Sequence, residues 1–284
     1  RWIPGSSRRT PPRLSIPHTG ETDTMASETQ TILWTRKDYI GVVTLNRPEK
    51  LNALTSSMIE ELERALGEMS GNDSVRAVIV ESSSERAFCA GADIGEWGGL
   101  EPLDMWRRWI PRGNRVFSRL ETLHQPTIAV ISGIAYGGGL ELALACDVRI
   151  ATESARFAMP EVTIGTVPGW RGLGRLSDVV GTPRAKEMVL TGKPVDAPTA
   201  ASWGLVNRVV PDHAAAVQEA RDLARDIAAN APIAVQTAKS LLNTGAAGGE
   251  ATDAIAGAMT AFTDDAREGT DSFREKRPPR FRGT

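Results

Sequence analysis

Apolar residues first fall into a regular pattern at Thr31. Two β-branched runs, TILWTR and IGVVTL, flank Asp38 and Tyr39, and this arrangement predicts a hairpin closed by Asn46, Arg47 and Pro48. Ser57 with Glu60 forms a capping-box signature, and Met58, Leu62, Ala65, Leu66 and Met69 follow it at helical spacing. The apolar run from Ala77 to Ser82 reads as a buried strand. Pro102 to Leu123 returns to the helical period, with Trp106 and Trp109 expected to face the core. Thr127 to Ser132, Asp147 to Ala151 and Arg156 to Ala158 are strand-like. From Gly172 onward helices dominate: Ala185–Leu190, Ala197–Trp203, Ala214–Ala229 with an apolar face of Val217, Leu223 and Ile227, and Ile233–Leu242. One strand, Val206–Val210, interrupts them. Strands alternating with helices, then helices alone, predict an α/β core followed by a helical C-terminal region.

Composition narrows the class. The chain has 284 residues and a formal net charge of −2, so neither a globally basic nucleic-acid binder nor a polyanionic tail protein is indicated. No apolar run reaches the 18 or so residues that a membrane helix needs, which leads to the expectation of a soluble, cytoplasmic protein. Cys89 and Cys146 lack metal-type spacing and are too few for a disulfide framework, so both are expected as buried free thiols in a reducing compartment. Residues 1–24 are rich in Arg, Pro, Ser and Thr and lie outside the expected fold. They read as a leader added upstream or an Arg-rich transit segment, with Met25 as the native start. The basic, proline-containing end from Phe273 reads as a solvated extension.

Candidate chemistry concentrates between Pro126 and Gly169. Glu141 stands alone among Leu140, Leu142, Ala143, Leu144 and Ala145, at the start of an expected helix, and burying such a carboxylate costs several kcal/mol unless it is compensated. Gly137, Gly138 and Gly139 precede it, after a strand. Strand, glycine turn and helix start in that order leave backbone N–H groups free to stabilise negative charge. Glu161 follows Pro160 between the apolar Met159 and Val162. Two glutamates in apolar settings beside an anion-stabilising turn point to proton transfer around a developing oxyanion. Gly91 to Gly95, by contrast, reads in isolation as a turn, and His124 as a turn or helix-end residue.

Taken together, LNRPEKLNAL (Leu45–Leu54), FCAGADI (Phe88–Ile94), GGGLELALACD (Gly137–Asp147) and MPEVTIGTVPG (Met159–Gly169) resemble the crotonase, or enoyl-CoA hydratase/isomerase, superfamily. The resemblance implies an α/β fold of repeated ββα units wound into a spiral. It implies acyl-CoA thioester substrates without metal or redox cofactor, coenzyme A being part of the substrate, and homotrimers, often paired into hexamers, made through C-terminal helices. The domains then become the leader (1–24), a spiral core with the CoA and acyl site (25–210) and an oligomerisation region (211–284). By position, the amides of Ala92 and Gly138 would hold the thioester oxygen, Glu141 and Glu161 would be the acid/base pair, and Ala92, Asp93, Ile94 and Gly95 would follow the CoA arm. Phe273 and Lys276 resemble positions that reach a neighbour's CoA. The implied reaction is hydration of a 2-enoyl-CoA, in fatty-acid metabolism by default.

The resemblance departs at PGWRGLGRL, where Trp170 and Arg171 stand in a run that is usually small and Leu173-Gly174 replace Thr-Gln, and at Gly95, where lysine is frequent. Trp170 is expected to shape the acyl wall. Arg171 either faces the acyl pocket and favours a carboxylate-bearing chain or makes a structural ion pair. The competing readings are a double-bond isomerase of the same superfamily, another acyl-CoA lyase or hydrolase, and a non-catalytic binder, with RNA contacts through the basic tails.

Overall fold

The computed structural model describes residues 30–245 and 249–284; the expected leader lies outside them. The predicted hairpin is present: β1 (Ile32–Lys37) pairs antiparallel with β2 (Ile40–Leu45). The chain turns at Asp38, whose φ of 56° is a left-handed conformation that Asp tolerates better than most residues.

The chain then deposits strands in pairs. β3 (Ala77–Ser82) and β4 (Ala87–Cys89) are followed by β5 (Thr127–Ile131) and β6 (Ile134–Tyr136), then by β7 (Val148–Thr152) and β8 (Arg156–Ala158). The first member of each pair joins a six-stranded sheet and the second a four-stranded one, completed by β9 (Val195–Asp196) and β10 (Arg208–Val210). The orders are β1-β2-β3-β5-β7-β10 and β4-β6-β8-β9. Apart from β1–β2 and β8–β9 all neighbours are parallel, which requires crossovers, and helices such as Ile110–Glu121 and Gly138–Leu144 supply them. Strand, strand and helix repeat as the expected spiral.

The period-2 alternation of the central strands distributes the core to both faces of the large sheet. Val78 and Val80 join Met58, Leu62 and Leu66 of the helix Ser56–Ser70 on one side, and Ala77 and Ile79 join Ile128, Val130 and Ile150 on the other. That second side is covered by the helix His213–Ala228. Its buried residues are Ala216, Ala220, Ala224 and Ala228, spaced by four, and the expected face of Val217, Leu223 and Ile227 is only partly buried beside them. Alanine lets the helix axis approach the sheet closely, so small residues rather than large ones mark its buried stripe. Residues as far along the chain as Ala228 therefore contribute to the buried core.

Three other expectations are corrected. The first helix is capped by Thr55, whose Oγ1 accepts from the Met58 amide at 3.2 Å, and not by Ser57; Glu60 instead pairs with Arg112 at 2.7 Å. Trp106 is 65% exposed whereas Trp109 is buried, because a π-helical turn over Met105–Trp109 breaks the α-helical register that would have put both on one face. The basic C-terminal segment is tied down: Arg277 pairs with Glu268, the Asp265 carboxylate accepts from the Arg282 and Gly283 amides, and Arg76 donates to the Phe281 carbonyl.

Candidate active site

The parallel strands β4, β6 and β8 end side by side at Cys89, Tyr136 and Ala158. The residues that leave these ends, Ala90 to Ala92, Gly137, Gly138 and Glu141, and Pro160 to Glu161, form one wall of a single pocket of about 200 Å³. Carboxyl ends of parallel strands are where α/β proteins place ligands, because the chain must loop there before crossing over.

Gly137 makes the turn out of β6 with φ 49° and ψ −122°, and a Cβ there would stand 2.7 Å from Glu161 Oε1. The turn sets Gly138 at the start of the helix that carries Glu141. Opposite, Leu54 pins the segment leaving β4: its amide donates to the Gly91 carbonyl and its carbonyl accepts from the Asp93 amide, at 2.8 and 2.9 Å. Successive amides of an extended chain point to opposite sides, so the Ala92 N–H faces away from Leu54, towards Gly138. A Cβ on Gly138 would lie 3.3 Å from the Ala92 nitrogen, and one on Gly91 would lie 3.6 Å from the Gly138 nitrogen. Among the described residues neither amide donates to a protein acceptor. The site thus holds two neighbouring free N–H groups.

Glu141 is 1% exposed. Its Oε1 accepts from the backbone amides of Trp170 at 2.7 Å and Gly172 at 2.9 Å, whereas Oε2 has no protein donor among the described residues. Burial pushes its carboxyl up to about 7, the two amides and the charge of Arg175 work against that rise, and the charge of Glu161 adds to it. Glu161 begins a short helical turn, Glu161–Ile164, and its Oε2 is buried without a partner. Burial raises that carboxyl too. Perturbed acids that share a pocket are a signature of proton-transfer sites.

The remaining walls are apolar. Ile94, Trp97, Met105, Trp109, Ile110 and Trp170 line them, and no Lys, Arg or His is among the described lining residues. Trp170 is held by an edge-on contact with Phe117 and a tilted one with Trp109, ring centroids 5.1 and 5.4 Å away.

Of the residues expected from the sequence, Ala92, Ile94, Gly138, Glu141, Glu161 and Trp170 therefore meet in one pocket. Asp93 and Gly95 are not among its lining: Asp93 pairs with Arg47 at 2.6 Å and its other oxygen accepts from the Gly95 amide at 2.9 Å, starting the short helix Ile94–Trp97. Phe273, 85% exposed, and Lys276 are also absent from the lining of this chain's own pocket. Arg171 does not face the acyl pocket. It is exposed and directed to Glu121, at 3.4 Å, and its left-handed φ of 65° turns the side chain outward while the flanking amides turn in. Sequence reasoning missed the Trp97, Met105 and Ile110 walls, which look like ordinary core residues, and Arg175, a lone basic residue with no motif around it.

The chain is similar to known proteins over most of its length. The profile of the family described as "Enoyl-CoA hydratase/isomerase" matches residues 35–284. The chain belongs to that family. A short-chain-enoyl-CoA hydratase of Clostridium acetobutylicum is 39% identical over 88% of this chain and 97% of its own length. The mitochondrial methylglutaconyl-CoA hydratase of Mus musculus is 35% identical, over 86% and 80%. The crystal structure of an enoyl-CoA hydratase from Bacillus anthracis superposes with a TM-score of 0.86 at 37% identity, covering 90% of this chain and all of that one. The fold of this enoyl-CoA hydratase/isomerase family member is thus that of its relatives, and the chain is an enzyme. Among its described residues no helix is long and apolar enough to cross a membrane.

Proposed function

We propose that the protein is an enoyl-CoA hydratase that adds water reversibly across the 2,3 double bond of a 2-enoyl-CoA thioester. The observation that carries this reading is the buried carboxyl of Glu141 with the half-buried Glu161, on one pocket beside the free amides of Ala92 and Gly138. Water oxygen bonds to C3 as Glu141, through Oε2, takes its proton. The π electrons move onto the thioester oxygen, where the two N–H groups stabilise the enolate, and C2 then takes a proton from Glu161. Such preorganised donors typically contribute ~10² to 10³ in rate each. Two carboxyls suit hydration better than isomerisation, because an isomerase that moves one proton between carbons needs only one. No resident cofactor is required, since the thioester brings its own CoA.

The test is loss of the conjugated enoyl-thioester absorbance when the protein meets crotonyl-CoA. A protein that binds CoA thioesters and leaves crotonyl-CoA untouched would refute hydration of this substrate. The same assay gives a pH profile. Because Glu141 must be ionised to take a proton and its carboxyl is raised to about 7, kcat/KM should climb as pH rises through about 7, not through the ordinary carboxylate range. A limb near 4 would remove Glu141 from the base role.

The lining also favours a neutral acyl group. A carboxylate carried into this pocket would meet Glu141, Glu161 and apolar walls with no cation to pair it, and an unpaired buried charge costs several kcal/mol. Crotonyl-CoA should therefore be preferred over glutaconyl-CoA by at least about 10² in kcat/KM. Equal turnover of the two would overturn the assignment of a neutral acyl group.

The trimer belongs to the same proposal. Leu242, Ile255, Met259 and Phe262, on the helices Pro232–Thr244 and Gly249–Ala261 and just beyond, are 62–87% exposed, a density of large apolar side chains that subunit contacts would cover. The exposed Phe273 and Lys276 would then reach a neighbour's CoA. A cytoplasmic location and a role in fatty-acid metabolism complete the reading.

A further inference from the structure

The grip on Glu141 comes from three residues of backbone. Trp170 and Gly172 both turn their amides onto Oε1, and Arg171 between them pays for this with a φ of 65°, a left-handed conformation that is strained for a residue with a side chain. Such a loop relaxes unless it is held from outside. Arg175, one turn into the helix Gly172–Val180, holds it: Nη1 donates to the Trp170 carbonyl at 2.8 Å and Nη2 pairs with Glu121 Oε2 at 2.8 Å. Its side chain is 4% exposed, so the guanidinium is a buried charge with one carboxylate partner, and Nε has no partner at all. A buried ion pair of that kind is weak evidence for stability. Glu121, at the end of the helix Ile110–Glu121, is fixed in turn by Asn243, which donates to its carbonyl at 3.0 Å.

We propose that Arg175 is the positioning residue for Glu141: anchored on Glu121, it clamps the Trp170 carbonyl so that the Trp170 and Gly172 amides stay aimed at Oε1 and leave Oε2 oriented for water. The inference rests on the hydratase reading for its kinetic consequences, but not for its geometry. The groups that bear on the Glu141 carboxyl are Glu161, Arg175 and those two amides. Both effects of losing Arg175, the missing positive charge and the loosened amides, destabilise the ionised form, so the proton affinity of Glu141 rises.

The experiment is a double-mutant cycle of Arg175→Met with Glu141→Gln, assayed on crotonyl-CoA, with Arg175→Lys as the conservative variant. Arg175→Met should lower kcat by about ten- to a hundredfold with KM changed by less than about threefold, move the ascending pH limb upward, and be partly rescued by Lys; in the Glu141→Gln background it should cost less than about threefold more. Equal losses in both backgrounds would make Arg175 merely structural and overturn the proposal. Should Arg175→Met fail to fold, Glu121→Gln loosens the same clamp and is read in the same way. An infrared titration of the Glu141 carboxyl stretch, wild type minus Glu141→Gln and repeated without Arg175 or its anchor, needs no substrate. A midpoint that moves upward supports positioning even in a protein inactive on crotonyl-CoA, where only the hydratase reading would fall; an unmoved midpoint overturns positioning in an active one.

Discussion

Glu141→Gln should all but abolish hydration while making the folded protein more stable at alkaline pH. The two effects have one cause. Glutamine keeps an acceptor oxygen for the Trp170 and Gly172 amides, so the loop survives, but it cannot take a proton from water; loss of a positioned general base typically costs ~10² to 10⁴ in rate. In the folded wild type the carboxyl holds its proton up to about 7, whereas an unfolded chain releases it near 4.3. Between those values the folded state binds the extra proton, so this group's contribution to stability falls as pH rises and is fully unfavourable above about 7. The cost relieved by glutamine is about 4 kcal/mol at pH 8 and small at pH 4. Denaturant titrations of both proteins at the two pH values would measure it, and a variant that is no more stable at pH 8 than at pH 4 relative to wild type would show that the buried charge is already compensated. Glu161→Gln should lose activity on the same scale.

Gly138→Ala should cripple the site with a single added methyl. Its Cβ would stand 2.7 Å from Trp170 Cζ3 and 3.3 Å from the Ala92 nitrogen, between a clamped indole and the second N–H donor. Trp170 is held by Trp109 and Phe117, so the added methyl either drives the indole into the pocket it lines or shifts the helix start. Overpacking of this kind costs ~1 to 3 kcal/mol, and displacing an oxyanion donor costs ~10² to 10³ in kcat. Gly174→Ala is the control: a Cβ there meets nothing within 4 Å and lies in the helix Gly172–Val180, so it should stabilise by about 1 kcal/mol and leave crotonyl-CoA turnover unchanged. Comparable activity losses in both variants would show that the Gly138 amide plays no special part.

Much of the site was legible because its chemistry imposes unusual local sequence. A lone glutamate in an apolar helix start and three glycines after a strand are costly choices that singled out Gly138 and Glu141, Glu161 stood out in its apolar loop, the family resemblance implied their roles, and the structure brings all three to one pocket. The hairpin and the strand Ala77–Ser82 were legible from period-2 and continuous apolar runs. The helix His213–Ala228 was recognised with Val217, Leu223 and Ile227 towards the sheet, where they pack, but its deepest stripe of Ala216, Ala220 and Ala224 was missed because alanine carries little hydrophobic signal. Trp106 was misplaced because a π-helical turn leaves no mark in composition.

The sequence by itself pointed to most strands and helices, the glycine turn and the two glutamates in apolar settings, since backbone preference and burial cost are local properties of residue type, but it missed the short strands β4, β6 and β9, which form only by pairing with one another and with β8. Only the tertiary structure decided that Arg171 turns outward to Glu121 and Arg175 inward to the Trp170 carbonyl. Two arginines four residues apart are equivalent as sequence, and what separates them is a left-handed residue and the helix end packed against it, neither of which exists until the spiral closes.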